Sequence, residues 1–309
     1  QEGNGLMTIR AMLAATFNER KIEAHLRDAG FLWFQPKIDG MRVLGGPSCV
    51  PLSRSGKEWK QRHLRALFRE KPSFRGFDGE VISGHQYDPN VFRESMSGIR
   101  AEDGSPEFTY YVFDNFDGSV ADSDYESRLR HIQDVLDCGG QDFANPAAVR
   151  IQGGEGFDAQ IIICPSYAVS SLDEIYRREE EAIANGWEGG ILRRNDRPYK
   201  HNRCTPNDGN LTKLKRFEDA EAIVVGYEAW EVNGNEATVS ELGYTTRSAH
   251  QSGKVAIERL GALKVELLTD RSVRFSIGVF KGWTHADRDR LWADRDTRIG
   301  RILKFKHQG

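Results

Sequence analysis

Cysteine is scarce and poorly placed for bridging. The 309-residue chain has four, Cys49, Cys138, Cys164 and Cys204, far apart and with no Cys-x-x-Cys pair. Neither a disulfide framework nor a zinc ribbon is expected, and the thiols are read as reduced and structural. Long apolar runs are missing too. No stretch approaches the roughly 18 consecutive apolar residues of a spanning helix, and the first thirty residues lack the apolar run of a secretory signal. The expected address is cytoplasmic, without membrane contact. Net basic charge is absent: the formal charge is −3, so any surface for a polyanion has to be local. Tandem repeats and low-complexity tracts are also lacking. Residues Gln1 to Leu6 precede Met7 and are expected to be an added leader outside the fold.

What remains is a chain with 39% apolar and 29% charged residues, enough for two compact domains. Ile22 and Leu26 repeat at helical spacing and Gly30 can cap, predicting a helix over Met12–Ala29. Strands are expected at Phe31–Gln35, Thr109–Phe116, Gln160–Cys164 and Gly190–Arg194. Between the last two, Ser171 and Glu174 form a capping-box pattern that opens a helix running to about Asn185, with Gly186 beyond it. After Lys215 the texture turns β-rich, with segments Ala222–Trp230, Lys254–Leu268 and Val273–Val279 separated by turn signals such as Asn233-Gly234. The expected division is 1–216 and 217–309, the second part a compact β-barrel.

The sharpest motif is Lys37-Ile38-Asp39-Gly40-Met41-Arg42, set just after a predicted strand. Alone it reads equally well as a surface lysine before a turn. Further segments follow in order: Ser53-Arg54-Ser55-Gly56, Asp78-Gly79-Glu80, Tyr111-Val112-Phe113-Asp114, Glu188-Gly189-Gly190-Ile191-Leu192-Arg193 and Lys213-Leu214-Lys215. Together they resemble the covalent nucleotidyltransferase superfamily of DNA ligases, RNA ligases and mRNA capping enzymes. The likeness is greatest to compact viral and phage ATP-dependent DNA ligases, and it extends to Gly261-Ala262-Leu263 and to the segment Gly278 to Trp292.

The resemblance implies an α+β fold, a nucleotidyltransferase (adenylation) domain followed by an oligonucleotide-binding (OB-fold) barrel. It implies an enzyme that seals nicks with 3′-hydroxyl and 5′-phosphate ends, through a lysyl-AMP on Lys37 and a DNA-adenylate. A lysine with pKa near 10.4 has only about one part in 2,500 as free amine at pH 7, roughly 4.6 kcal/mol against the nucleophile. Neighbouring cations lower that pKa, and Arg42, Lys213 and Lys215 are the candidates, helped by a metal. The same cations suit the α-phosphate as pyrophosphate leaves. By carry-over, Glu80 and Glu188 are magnesium ligands, and Glu80 also reaches the ribose. Phe113 stacks on adenine, Asp39 and Arg42 line the nucleotide pocket, Arg54 approaches the nucleotide and the nick phosphate, and Arg193 stands near the adenylate. Gln35 occupies a position that is often Glu in cellular DNA ligases and accepts from the adenine amino group. The family's final basic motif is not seen before Gly309, and a missing tail is the expectation.

For DNA, the stretch from Arg54 to Lys71 carries seven basic residues, Arg54, Lys57, Lys60, Arg62, Arg65, Arg69 and Lys71, against Glu58 and Glu70. A helix over 60–71 is the expected backbone-contacting face, with a solvated helix face as the alternative. The polar stretch Glu231 to Gly253, with Thr245, Thr246, Arg247, Ser248 and His250, reads either as a hairpin loop or as a latch that orders on DNA. Expected partners are ATP, magnesium and nicked duplex DNA, for a monomer with no obligate protein partner. The rivals are a capping guanylyltransferase, disfavoured by Glu188 where Asp is more usual, and an RNA ligase, disfavoured by Arg42 where Asn is frequent. An NAD-dependent ligase would need a further N-terminal domain and usually a four-cysteine zinc site.

Overall fold

The first helix starts later than the apolar spacing predicts. Asn18, in extended conformation, accepts with its side chain from the Lys21 N–H, and the helix runs Glu19–Ala29. Ahead of it the chain is extended. Met12–Leu13 lies parallel to Asn202–Arg203 and Ala15–Thr16 parallel to Thr212–Leu214, so partners nearly two hundred residues away take the backbone hydrogen bonds that a helix would have used. The structure, a computed structural model, describes residues 9–307 apart from 85, 89, 105, 141, 147, 153–157, 216–217, 240–244, 248–250 and 279–281. Residues Gln1 to Leu6, and Ser248 and His250 of the polar stretch, lie outside the described residues. Among the described residues no helix is long and apolar enough to cross a membrane.

Two compact units are formed, Gln1–Lys215 and Arg216–Gly309. Besides the short parallel pair of Met12–Leu13 with Asn202–Arg203, the first contains two larger sheets. A five-stranded sheet has the order Tyr167–Val169, Leu32–Pro36, Gly190–Arg193, Thr212–Leu214, Ala15–Thr16. One face, with Leu32, Phe34, Leu192 and Leu214, packs on Ile22 and Leu26 of the first helix and on Ile175 and Ala182 of the helix Leu172–Ala184. Phe34 sets the identity of residue 190, because a Cβ there would lie 2.4 Å from its ring. Ser171 caps the Leu172–Ala184 helix, but Glu174 reaches back to the Ser170 N–H at 2.6 Å, so only half of the predicted capping box forms.

A six-stranded sheet has the order Pro51–Leu52, Met41–Gly45, Phe77–Ser83, Phe108–Asn115, Asp158–Ile163, Val149–Gln152. Val81, Tyr110, Val112 and Ile161 join Leu64, Leu67, Phe68, Leu129 and Ile132 in the largest core. Each fully buried Leu, Val or Phe contributes about 1.5–3 kcal/mol, which fixes the face on which alternate residues must lie. The opposite face carries Ile82, Tyr111, Phe113 and Ile162, and meets Ile38 and Trp187 from the loops at the end of the five-stranded sheet.

The second unit is an antiparallel sheet ordered Arg274–Gly278, Lys254–Leu267, Glu218–Asn233, Ile302–His307. Register shifts at Val224/Gly226 and around Ala229 mark where the long pair departs from regular pairing. Its core is Ala222, Val224, Leu260, Leu263 and Val265, flanked by Trp283, Leu291, Phe275 and Phe305. The expected barrel is not closed by hydrogen bonds among the described residues. The two outer strands meet instead through the Phe275 and Phe305 rings, 5.3 Å apart. Part of the polar stretch forms a short hairpin, Ala237–Val239 with Thr245–Arg247.

Candidate active site

Lys37 follows the strand Leu32–Pro36, and the ladder with the neighbouring strand continues through it: its N–H donates to the Gly189 carbonyl at 2.9 Å, and the Glu188 N–H donates to the Lys37 carbonyl at 3.0 Å. Backbone pairing thus sets Lys37 across from the Glu188-Gly189 turn. The chain then turns tightly at Gly40, where a Cβ would sit 2.4 Å from the Val81 carbonyl oxygen. Lys37 Nζ pairs with one oxygen of Glu188 and Lys215 Nζ with the other, all three side chains being only partly exposed. Burial lowers the Lys215 ammonium below its ordinary pKa against the pull of Asp39. Burial likewise raises the Asp39 carboxyl against Lys215. Lys213 lies opposite Ile191, which lies opposite Gln35, so the three share one face of the sheet, the face away from Phe34 and Leu214. Its side chain makes no hydrogen bond or ion pair among the described residues.

Beneath these groups lies a network that the sequence analysis missed. Arg42 donates to both oxygens of Asp78, at 2.5 and 2.6 Å, and to the Met12 carbonyl at 3.2 Å. Burial alone would lower its pKa, but the charge and hydrogen bonds of Asp78, with Tyr199 and Glu80, raise it instead. Arg42, one of the candidate cations for Lys37, is paired here with Asp78. Arg193, expected near the adenylate, is 2% exposed and committed within the protein, donating to Asp114 at 2.6 Å and to the side-chain amide oxygen of Gln35 at 2.9 Å. Gln35 in turn donates to Ser166 Oγ at 3.0 Å, so both ends of the expected adenine reader are already engaged. Phe113 lies beside both guanidinium groups, 4.7 Å from Arg42 and 5.4 Å from Arg193. Asp78 and Asp114 stood inside the quoted motifs. Tyr199 and Arg128, their further partners, carried no local signal.

Among the described residues Glu80 has no salt bridge, because Asp78 takes the arginine. Burial pushes its carboxyl up to about 7; Arg42 pulls it down, Asp78 and Asp39 push it further up, and a Gly40 backbone hydrogen bond lowers it. Among the described residues no three His, Cys, Asp or Glu side chains gather as a metal site.

The basic stretch is divided differently from the expectation. Gln61 caps the helix through the Leu64 N–H, so the helix is Arg62–Glu70 and Lys60 precedes it. Arg54, Lys57, Lys60, Arg62 and Arg65 are exposed, while Leu64, Ala66, Leu67 and Phe68 are buried. Arg62 has a loose pair, 3.7 Å, with exposed Asp103. Trp59 Nε1 donates to the Arg42 carbonyl at 3.2 Å and ties this stretch to the lysine motif.

Two large sheets followed by a second, β-rich unit give the nucleotidyltransferase and OB fold seen in DNA ligases of known structure. No family model matches the chain. In sequence it is similar to a DNA ligase of African swine fever virus, 25% identical over 206 residues. That match takes in 62% of this chain and only 43% of the viral ligase. Among solved structures it is similar to a Chlorella virus DNA ligase-adenylate, with a TM-score of 0.52 and 23% identity over 97% of this chain and 95% of that one. It is also similar to a Lig E DNA ligase, with a TM-score of 0.61 and 19% identity over 97% and 93% of the two chains.

Proposed function

We propose that this chain is an ATP-dependent DNA ligase that acts as a monomer on nicked duplex DNA. The observation that carries the reading is the shared carboxylate of Glu188, which brings Lys37 and Lys215 together at the end of a strand whose face away from Phe34 also carries Gln35.

In the first step Lys37 Nζ forms a bond to the α-phosphorus of ATP, the bond to the bridging oxygen breaks, and pyrophosphate leaves with its electron pair. Lys37 must first lose a proton. Release of its pair with Glu188 is part of activation, and Lys215 is the second cation beside it. AMP then moves to the 5′-phosphate, and the 3′-hydroxyl displaces it to close the strand. Magnesium would be held by Glu188 together with nucleotide phosphates, which suits an ion that takes one or two carboxylates and keeps waters, and it would neutralise charge on the departing pyrophosphate. The residues fit that arrangement better than a protein-only cage, since no carboxylate triad is present among the described residues. Glu80, raised to about 7, is matched to a ribose hydroxyl, because a partly protonated carboxyl both donates and accepts. Lys213, on the same face as Gln35 and without a protein partner among the described residues, is free for phosphate.

The test is to supply magnesium with α-labelled ATP or GTP, then nicked DNA or nicked RNA. Label from ATP and sealing of DNA are expected. Label from GTP without sealing would replace the reading with a capping guanylyltransferase, and sealing confined to RNA would replace it with an RNA ligase.

A further inference from the structure

Asp78 and Asp114 are direct register partners on adjacent strands, and both are completely buried. Each brings one arginine to the same aromatic ring. Asp78 holds Arg42, and Asp114 holds Arg193, whose guanidinium groups lie 4.7 and 5.4 Å from the Phe113 ring centroid. Each aspartate is fixed by a second donor. Tyr199 Oη donates to Asp78 at 2.6 Å and accepts from the Met12 N–H at 2.9 Å. Arg128 Nε donates to Asp114 at 2.6 Å, and its Nη1 donates to the Ser123 and Arg197 carbonyls at 2.6 and 2.9 Å. The backbone under the ring is tied as well, since Tyr125 Oη donates to the Phe113 carbonyl at 2.9 Å.

This arrangement is a costly way to support one phenylalanine. Two aspartates and two of the three arginines, Arg128 and Arg193, are buried, where apolar side chains of similar volume would pack without desolvating ions. Bidentate and cation–π contacts supply what apolar packing does not, namely a single orientation of the ring. Asp114 is central to it. Burial would raise its carboxyl, but Arg128 and Arg193 hold it below the usual range, so it stays ionised and keeps both guanidinium groups in place. Arg193 also donates to Gln35, so the same aspartate orients that side chain.

We infer that Asp114 is a positioning residue for the nucleotide: through Arg193 it sets the plane of Phe113, on which the purine of the bound nucleotide rests. The inference rests on the ligase reading proposed above. A merely structural aspartate would act on folding alone or on all kinetic constants alike, whereas a residue acting through the ring also acts on nucleotide binding, and only when the ring is present.

The experiment is a double-mutant cycle on self-adenylation with Asp114→Asn, Phe113→Leu and the pair, reading KM for ATP and kcat separately. Asp114→Asn is expected to raise KM about tenfold, the size of a desolvated cation–π contact, with kcat changed less than about threefold. In the Phe113→Leu background the same change should move KM less than about twofold. If Asp114→Asn does not fold, Arg193→Lys takes its place in the cycle. It keeps the buried charge, but one ammonium cannot reproduce the fork that spans Asp114 and Gln35, and the same loss of additivity is expected. Additive KM effects, or a fall in kcat at unchanged KM, would overturn the inference and leave the ligase reading intact. A wild-type chain that takes no label from ATP would remove both.

Discussion

Lys37, Glu188 and Lys215 at the rim of the site keep 24, 18 and 16% of their side chains exposed, whereas Asp78 and Asp114 on its floor keep none and Arg193 and Arg128 only 3 and 2%. The two sets hold charge for different ends. Solvent screens the rim pairs, so a phosphate or a metal can replace a partner at small cost. On the floor, removing one partner leaves a charge that has no water to turn to. Chemistry needs groups that let go of one another, and positioning needs groups that do not.

Breaking the floor should therefore show in stability, and breaking the rim in rate. Asp114→Ala strands Arg128 and Arg193 and is expected to cost about 3–5 kcal/mol of unfolding free energy, measured by urea titration. Glu188→Ala should leave the urea midpoint nearly unchanged and lower the self-adenylation rate by about 10²–10³-fold, the usual size for loss of a fixed electrostatic partner. A Glu188 variant as unstable as the Asp114 variant would erase the distinction.

Glu80 stands between the two regions and sharpens the contrast through pH. Its folded pKa of about 7 lies above the ordinary 4.5, so the folded protein favours the neutral acid. That preference is present in full below pH 4.5 and is lost as pH rises through 7, because the carboxylate then has to ionise in a buried place. Glu80→Gln removes the penalty. Its stability relative to wild type should rise by about 2–3 kcal/mol between pH 4 and pH 8 while adenylation weakens. A pH-independent difference would show that Glu80 is solvated. The smallest effect is expected at Arg65, exposed on the helix Arg62–Glu70. Arg65→Ala should lower the salt dependence of nick binding by about one counterion and leave self-adenylation alone.

The residues with a chemical signature were legible in the sequence because their types and order are unusual: the lysine motif, the two glutamates and the alternating Lys213 and Lys215. Partner choice was not. Arg42 lies opposite Glu80 in the strand ladder, yet its side chain turns to Asp78, and only Tyr199 on the same carboxylate and the Met12 carbonyl on the guanidinium make that geometry apparent. Gln35 and Arg193 read as ligand contacts because both stand in motifs, but residues remote in the chain, Ser166 and Asp114, decide what they touch. The fold shows the same division. The capped helix Leu172–Ala184 and the long strands follow local patterns. Met12–Thr16 has spacing that fits helix or strand, and distant strands decide between them. The register shifts around Gly226 and Ala229 in the second sheet are likewise encoded by no local spacing.

The central claim is that Lys37 is the nucleophile. Incubation with magnesium and α-labelled ATP, followed by digestion and mapping of the label, tests it most directly. The account predicts an acid-labile, base-stable adduct on the peptide containing Lys37 and none in Lys37→Ala; label on Lys213 or Lys215, or label that survives in Lys37→Ala, would contradict it.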